Sequence, residues 1–397
     1  MQSFRSHRIV TETEVIDGWL TVNEDGRIEA VEMTPSGKQI NDYENDWLFP
    51  GLIDPHLHGF MGWNASKTSD ETQILRMADA LLWAGVTACV PSCISSEFML
   101  DNVKALHAAR VHQKHGSEIL GLYMEGPFYN PEYNGGTPIE TFENASVKRT
   151  MEYVEAAGGD LVSLGLAPEL PGAMEVVSFL SQNGVRVGIA HTGADYEQTI
   201  AAIDAGCKMA THSFNAMRGL HHREVGVTGA ILLDPRIYNE INCDFIHVCP
   251  QMIEILLKMK SWDKILMMTD NDSMTGMPVG QYRIDNVIET LEPNGKIMLE
   301  DGTIYGSGRL LLQDVFNLID ILNIPVPEAV AMASLNAARF LNVDDRLGSL
   351  KAGKQADFIV VNDQQQCRAT IQKGVCVCDQ SQRDQLVNPK FMNLKIA

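Results

Sequence analysis

Six residues of metal-ligand or acid/base type stand where apolar runs end in this 397-residue chain: His56, His58, Glu125, His191, His212 and Asp270. His56 and His58 close the run Leu48-Phe-Pro-Gly-Leu-Ile-Asp-Pro-His-Leu-His58, and Gly59 follows. Alternate residues of a strand face the same side, so both imidazoles project together. Such a pair suits zinc or another transition metal. A bare His-x-His is more often a core histidine beside a loop histidine; its place at the end of a buried strand, followed by glycine, shifts the reading towards a metal. The other residues each have a plain explanation alone. Asp270 suits a helix cap, Glu125 an arginine's partner, His191 a packed core position. Six in the same structural position are hard to explain independently.

The elements that must position them alternate between strand and helix. After the His-x-His strand, Thr68-Ser-Asp-Glu71 reads as a capping box. Ile74, Met77, Ala78, Leu81 and Leu82 follow at helical spacing until Gly85. Further strands are expected at 86–90, 119–124, 161–166, 185–190, 208–211, 240–248 and 265–269, with helices at 97–113, 196–205 and 252–260. About eight strands alternating with helices favour a (β/α)8 barrel, with a doubly wound open sheet as the alternative. The polar residues decide for the barrel, because they cluster at the C-terminal ends of strands, where such barrels keep their active sites. A hairpin-like insert around Asn294-Gly295 interrupts the alternation at 280–305. Both chain ends have another texture. Asp25-Gly26 and Lys373-Gly374 sit between apolar runs as hairpin turns. Residues 1–49 and 345–397 are therefore expected to form one small β-sandwich domain beside a barrel of residues 50–344.

With 45% hydrophobic and 21% charged residues, the chain has an ordinary globular balance and can bury a large core. Its net charge of −20 excludes a general surface for nucleic acid or an anionic membrane. An anionic substrate would need a local basic pocket. The eight cysteines show no framework spacing; Cys376-x-Cys378 is a weak metal hint, and buried thiols are the plainer reading. No signal-peptide core and no run of 18 apolar residues is present, so a reduced, cytoplasmic protein is expected.

The motifs Pro50-Gly-Leu-Ile-Asp-Pro-His-Leu-His-Gly59, Glu125-Gly-Pro-Phe-Tyr-Asn-Pro131, Leu166-Ala-Pro-Glu169, Ala190-His-Thr192, Thr211-His-Ser-Phe-Asn-Ala-Met-Arg218, His222-Arg-Glu224, Ile246-His-Val248, Thr269-Asp270 and Gly348-Ser-Leu-Lys-Ala-Gly-Lys-Gln-Ala-Asp357 run through nearly the whole chain. In that order they resemble the amidohydrolase superfamily and, within it, the N-acetylglucosamine-6-phosphate deacetylases. The resemblance implies a TIM-like metal-dependent hydrolase barrel. It implies that Glu125, His191 and His212 hold one divalent metal, and that His56 and His58, with Glu125 bridging and Asp270 nearby, hold a second. Glu125 takes the place that a carboxylated lysine has in many amidohydrolases. Zinc is the first choice, with iron or manganese as alternatives, because a mixed N/O site does not select sharply among them. Asp270 is the candidate acid/base that takes a proton from water and delivers it to the amide nitrogen. The substrate would be a phosphorylated amino sugar. Asn215, Ala216, Arg223 and His247 map to residues that contact the sugar phosphate, His247 from a neighbouring subunit, which implies a homodimer.

Several substrate-side positions depart from the family pattern. Thr137, in Tyr133-Asn-Gly-Gly-Thr-Pro138, replaces a histidine that helps to hold the substrate. A hydroxyl donates one hydrogen bond and carries no charge. Thr192-Gly193-Ala194 and Asn271-Asp-Ser-Met274 also differ. The reaction type is thus better specified than the substrate, whose epimer, acyl group or anion is open. The competing readings are an amidohydrolase acting on a cyclic amide or an amine, and a non-catalytic descendant. Glu125 and the Asn-Ala-Met run speak against the first, the complete set of metal and acid/base positions against the second.

Overall fold

The computed structural model describes residues 1–35, 39–284 and 287–396. Eight parallel strands form the barrel: β1 (Leu52–Leu57), β2 (Val86–Ile94), β3 (Leu122–Glu125), β4 (Leu161–Leu166), β5 (Arg186–Ile189), β6 (Cys207–Ala210), β7 (Tyr238–Ile241) and β8 (Ile265–Met267). Each pairs with its neighbours in chain order, for example Leu52 with Val86 and Glu125 with Gly165. Between β8 and β1 the ring closes through the Asp270 amide, which donates to the His56 carbonyl at 3.1 Å, and the Thr269 hydroxyl, which donates to Asp54 at 2.6 Å. Strands of a barrel are covered on both faces, which is why they read as near-continuous apolar runs. Ile53, Ala88, Val90, Tyr123, Met209 and Leu266 share one buried cluster. A larger cluster brings in buried helix residues such as Ile74, Met77, Val103 and Leu106.

The first helix, Glu71–Leu81, differs at its start from the expected capping box. Its N-cap is Asp70, whose side chain accepts from the Thr72 amide. Thr68 instead accepts from the Asp70 amide and shapes the turn before the helix.

Strands from both chain ends build one eight-stranded sheet. Phe358–Val361 lies antiparallel to Trp47–Pro50, which is parallel to Gln2–Val10. The expected turns at Asp25-Gly26 and Lys373-Gly374 join antiparallel pairs. From Pro50 the chain passes through Gly51 straight into β1, and a Cβ on Gly51 would lie 2.1 Å from the Thr87 hydroxyl. Glycine is what allows sheet and barrel to meet there.

The insert is larger than a hairpin. Gly280–Ile284, Val287–Leu291, Lys296–Leu299 and Ile304–Ser307 form a four-stranded antiparallel sheet, with Asn294-Gly295 turning its middle pair. The C-terminal segment, with short helices Arg383–Leu386 and Pro389–Met392, reaches back to this insert. The Ile396 amide donates to the Gln281 carbonyl at 2.7 Å, and the Asn388 amide to the Met61 carbonyl at 2.8 Å. Insert and C-terminal segment together wall the mouth of the barrel.

Candidate active site

The strand ends bring His56, His58, Glu125, His191, His212 and Asp270 together at one end of the barrel. His191, His212 and Asp270 leave β5, β6 and β8 with φ of 44°, 36° and 55°. Non-glycine residues seldom adopt this left-handed region, and such strain collects at functional sites.

Glu125 stands between two histidine pairs. Its Oε2 lies 3.2 Å from His58 Nε2 and 3.9 Å from His56 Nε2. Its Oε1 lies 3.0 Å from His212 Nε2 and 3.4 Å from His191 Nε2. One carboxylate oxygen therefore faces each pair, which is bridging geometry. Asp270 Oδ1 lies 2.9 Å from His58 Nε2 and 3.7 Å from His56 Nε2. All six side chains are buried or nearly so.

The partners of the outer ring nitrogens test whether these residues fit a metal. His56 Nδ1 faces Glu240 Oε2 at 3.2 Å, and His191 Nδ1 faces the Tyr133 carbonyl at 2.7 Å. His58 Nδ1 faces the Ser66 hydroxyl, which itself donates to the Ser92 carbonyl at 2.6 Å and so must accept from the imidazole. Three rings thus keep their proton on Nδ1 and turn an Nε2 lone pair inward. Nε2 of His56 and His58 are 3.2 Å apart, and those of His191 and His212 are 3.1 Å apart. Two nitrogens bound to one tetrahedral ion at about 2.05 Å would lie about 3.3 Å apart. Converging lone pairs with no proton between them call for a cation, and both triads, His56–His58–Glu125 and Glu125–His191–His212, have ligand atoms within 4.8 Å of one another.

The electrostatics of the bare chain make the same demand. Burial would raise the Glu125 carboxyl, yet hydrogen bonds from His191, His212, His56 and His58 hold it well below its ordinary range. Burial would lower His58, yet Asp270 and Glu125 push it up to about 9. These carboxylates draw positive charge into the site, supplied by protons or by a metal that displaces them.

The metal-type cluster opens into a cavity of about 520 Å³. Thr137, Asn215, Ala216 and His247 line it. His247 lines the cavity of its own chain, so its placement there needs no second subunit. Burial would lower this imidazole; a 2.7 Å hydrogen bond to Asp244 overrides that and raises it. Arg223 is not brought to the cavity. It sits on an exposed loop, and Glu224, a candidate partner, pairs with Arg218 at 2.5 Å instead. Cys376 is exposed and joins no metal-type cluster among the described residues.

Other residues at the site have no signal of their own in the sequence, except Asp272, which stands in the Asn271–Met274 run that departs from the family pattern. Glu240 is 1% exposed behind His56. Lys67, Asp272, Tyr305 and Lys390 line the cavity from the loop after β1, the loop after β8, the insert and the C-terminal segment. In the sequence Glu240 belongs only to an expected strand, and strand periodicity does not say that an acidic residue points at a ligand.

Residues 47–394 match the amidohydrolase family. The chain is 34% identical over 369 residues to the N-acetylglucosamine-6-phosphate deacetylase of Vibrio furnissii, covering 91% of each chain. It is 32% identical over 370 residues to the N-acetylgalactosamine-6-phosphate deacetylase of Escherichia coli O157:H7, covering 90% of this chain and 94% of that one. Its fold is similar to the crystal structure of N-acetyl-D-glucosamine-6-phosphate deacetylase from Mycobacterium smegmatis, with a TM-score of 0.89, 28% identity, and coverage of 95% and 100% of the two chains.

Proposed function

The chain belongs to the amidohydrolase family, and from that premise we propose that it hydrolyses the N-acetyl amide of an amino-sugar phosphate, N-acetylglucosamine 6-phosphate or a close analogue, to acetate and the amino-sugar phosphate. The observation that carries the reading is the bridging placement of Glu125 between two inward-facing imidazole pairs, with Asp270 beside one of them. Glu125, His191 and His212 hold one divalent metal; His56 and His58, with Glu125, hold a second. Zinc suits these ligands, and iron or manganese are the alternatives. A bound metal supplies Lewis acidity, which makes water a usable nucleophile near pH 7 and polarises an amide carbonyl.

The chain's own groups do the rest. Asp270 is held ionised in the bare chain: burial would raise its carboxyl, but the hydrogen bond from a protonated His58 and the charge of His56 keep it low, and a metal held by those two rings would put its positive charge in the same place. An ionised carboxylate there takes the proton of the attacking water. It then gives that proton to the amide nitrogen, which leaves poorly unless protonated. Asn215 and the Ala216 backbone hold the sugar, the Thr137 hydroxyl contributes a hydrogen bond, and His247 contributes charge for the phosphate. Arg223 joins them if its loop or a second subunit brings it to the mouth; a homodimer is part of the proposal, supported by the resemblance and read by its mass in solution. The eight free cysteines support a reducing, cytoplasmic setting. No described helix is long and apolar enough to cross a membrane.

The test is acetate release from the gluco and galacto 6-phosphates by metal-analysed protein and by Asp270→Asn. Loss of general acid/base catalysis costs about 10²- to 10⁴-fold in kcat. A mutant as active as wild type would remove Asp270 from this role.

A further inference from the structure

Relatives of similar identity are named for opposite C4 epimers, one gluco and one galacto. Overall similarity therefore does not decide which sugar this chain prefers, and the discriminating contact must lie in the cavity wall. On the deacetylase reading the metal-type cluster serves the acyl amide, and Asn215, Ala216 and His247 line the cavity from the loops after β6 and β7. A different stretch of rim comes from the loop after β1 and from the insert, and its centre is Lys67 with Tyr305. The Lys67 ammonium donates to the Tyr305 hydroxyl at 2.9 Å. It also lies 5.5 Å from the centre of that ring.

Three features fit this pair to a sugar ring. An ammonium has three N–H donors and spends one on Tyr305; the Tyr305 hydroxyl accepts that bond and keeps its own proton to donate. Burial pushes the Tyr305 hydroxyl up to about 12, so the proton stays. The ring is held in place from behind: a Cβ on Gly136 would lie 2.5 Å from Tyr305 Cδ2, so only glycine beside Thr137 lets it seat. Burial would lower the Lys67 ammonium; its contact with Tyr305 and, after it, the carboxylates of Asp272 and Glu289 override that and raise it. Free donors next to an aromatic face and a carboxylate suit hydroxyl groups better than a phosphate, which those carboxylates would repel.

We propose that the Lys67–Tyr305 pair is a specificity-determining element whose free donors read the sugar's ring hydroxyls and set the preference between C4 epimers. The proposal rests on the deacetylase reading. Its test compares kcat/KM for N-acetylglucosamine 6-phosphate and N-acetylgalactosamine 6-phosphate in wild type, Lys67→Met, Tyr305→Phe and Lys67→Arg, each checked for unchanged metal content. The expected result is a wild-type preference that shrinks about tenfold in Lys67→Met and in Tyr305→Phe, the effect of one lost hydrogen bond. Lys67→Arg, which keeps a charged donor, retains most of it. A wild-type ratio near one, or variants that lose or keep both substrates in parallel, overturns the proposal alone. Release of acetate from neither sugar by metal-loaded wild type overturns the deacetylase reading and the proposal together.

Discussion

Glu240 shows how much one buried side chain can decide. A carboxylate that is 1% exposed carries a heavy desolvation cost unless it is paired, and here it faces His56 Nδ1 at 3.2 Å. A carboxylate behind an imidazole fixes its tautomer and strengthens it as a ligand. Glu240→Gln keeps the shape and removes the charge. It is expected to weaken metal held by His56 and His58 by roughly 10- to 100-fold while metal at Glu125, His191 and His212 stays. Metal per chain during titration with a chelator measures this; an unchanged titration would leave Glu240 with a purely structural part. His247 makes a pH-dependent prediction. Its pKa is raised by Asp244, so its proton and the stability it brings are fully present below about 6.5 and are lost as pH rises through the raised value. Asp244 is lowered by the same contact, so its share is lost only as pH falls through that low value. Between these limits His247 presents a cation to the cavity. KM for the phosphorylated substrate should climb by about tenfold above the raised pKa, and His247→Gln should flatten that climb. A wild-type KM flat from pH 6 to 9 would separate His247 from the phosphate.

At the scale of elements, the mouth of the barrel depends on a segment far away in sequence. Phe391 is 8% exposed, its ring centre 5.5 Å from that of Tyr282 in the insert. Asn388 Nδ2 donates to the Gly62 carbonyl at 2.7 Å. Truncating a buried Phe typically costs about 3–5 kcal/mol. The segment docks on the rim of the barrel and on the insert rather than in the barrel core, so that loss should go into local opening rather than global unfolding. Phe391→Ala is thus expected to raise KM several-fold and to speed proteolysis near residue 390, with the main thermal transition in place. A fall of the main transition by many degrees would show instead that this segment is part of the cooperative core. The sequence carries no period or turn signal for such docking, because what holds it is a distant partner. What was legible follows from local rules. Barrel strands are apolar on both faces, their ends carry the chemistry, and turns such as Asp25-Gly26 are set by their own residues. The insert was legible only at Asn294-Gly295. Of its outer strands, Gly280–Ile284 alternates covered and exposed residues over only five positions, and Ile304–Ser307 does not alternate at all, so neither carries a period long enough to read.

For the whole molecule, the proposed function requires a protein of net charge −20 to admit a substrate carrying a phosphate. Two fields act on that substrate. The positive charge at the cavity works over a few ångströms, well inside the Debye length of about 10 Å at 0.1 M salt, and is little screened. The net negative charge is spread over a body whose radius of gyration is about 21 Å for this length, so most of it lies beyond that length and is screened strongly. Adding salt therefore removes repulsion faster than it removes attraction. Between about 10 and 150 mM salt, where the Debye length falls from about 30 to 8 Å, KM for the sugar phosphate should fall several-fold with kcat unchanged. An uncharged acetamido sugar, however poorly turned over, should show no such trend. If KM rises with salt instead, the local cations outweigh the net field. The phosphate must then sit against more positive charge than His247 provides, and Lys390, which lines the cavity, and Arg223, exposed on its loop, become the first residues to replace.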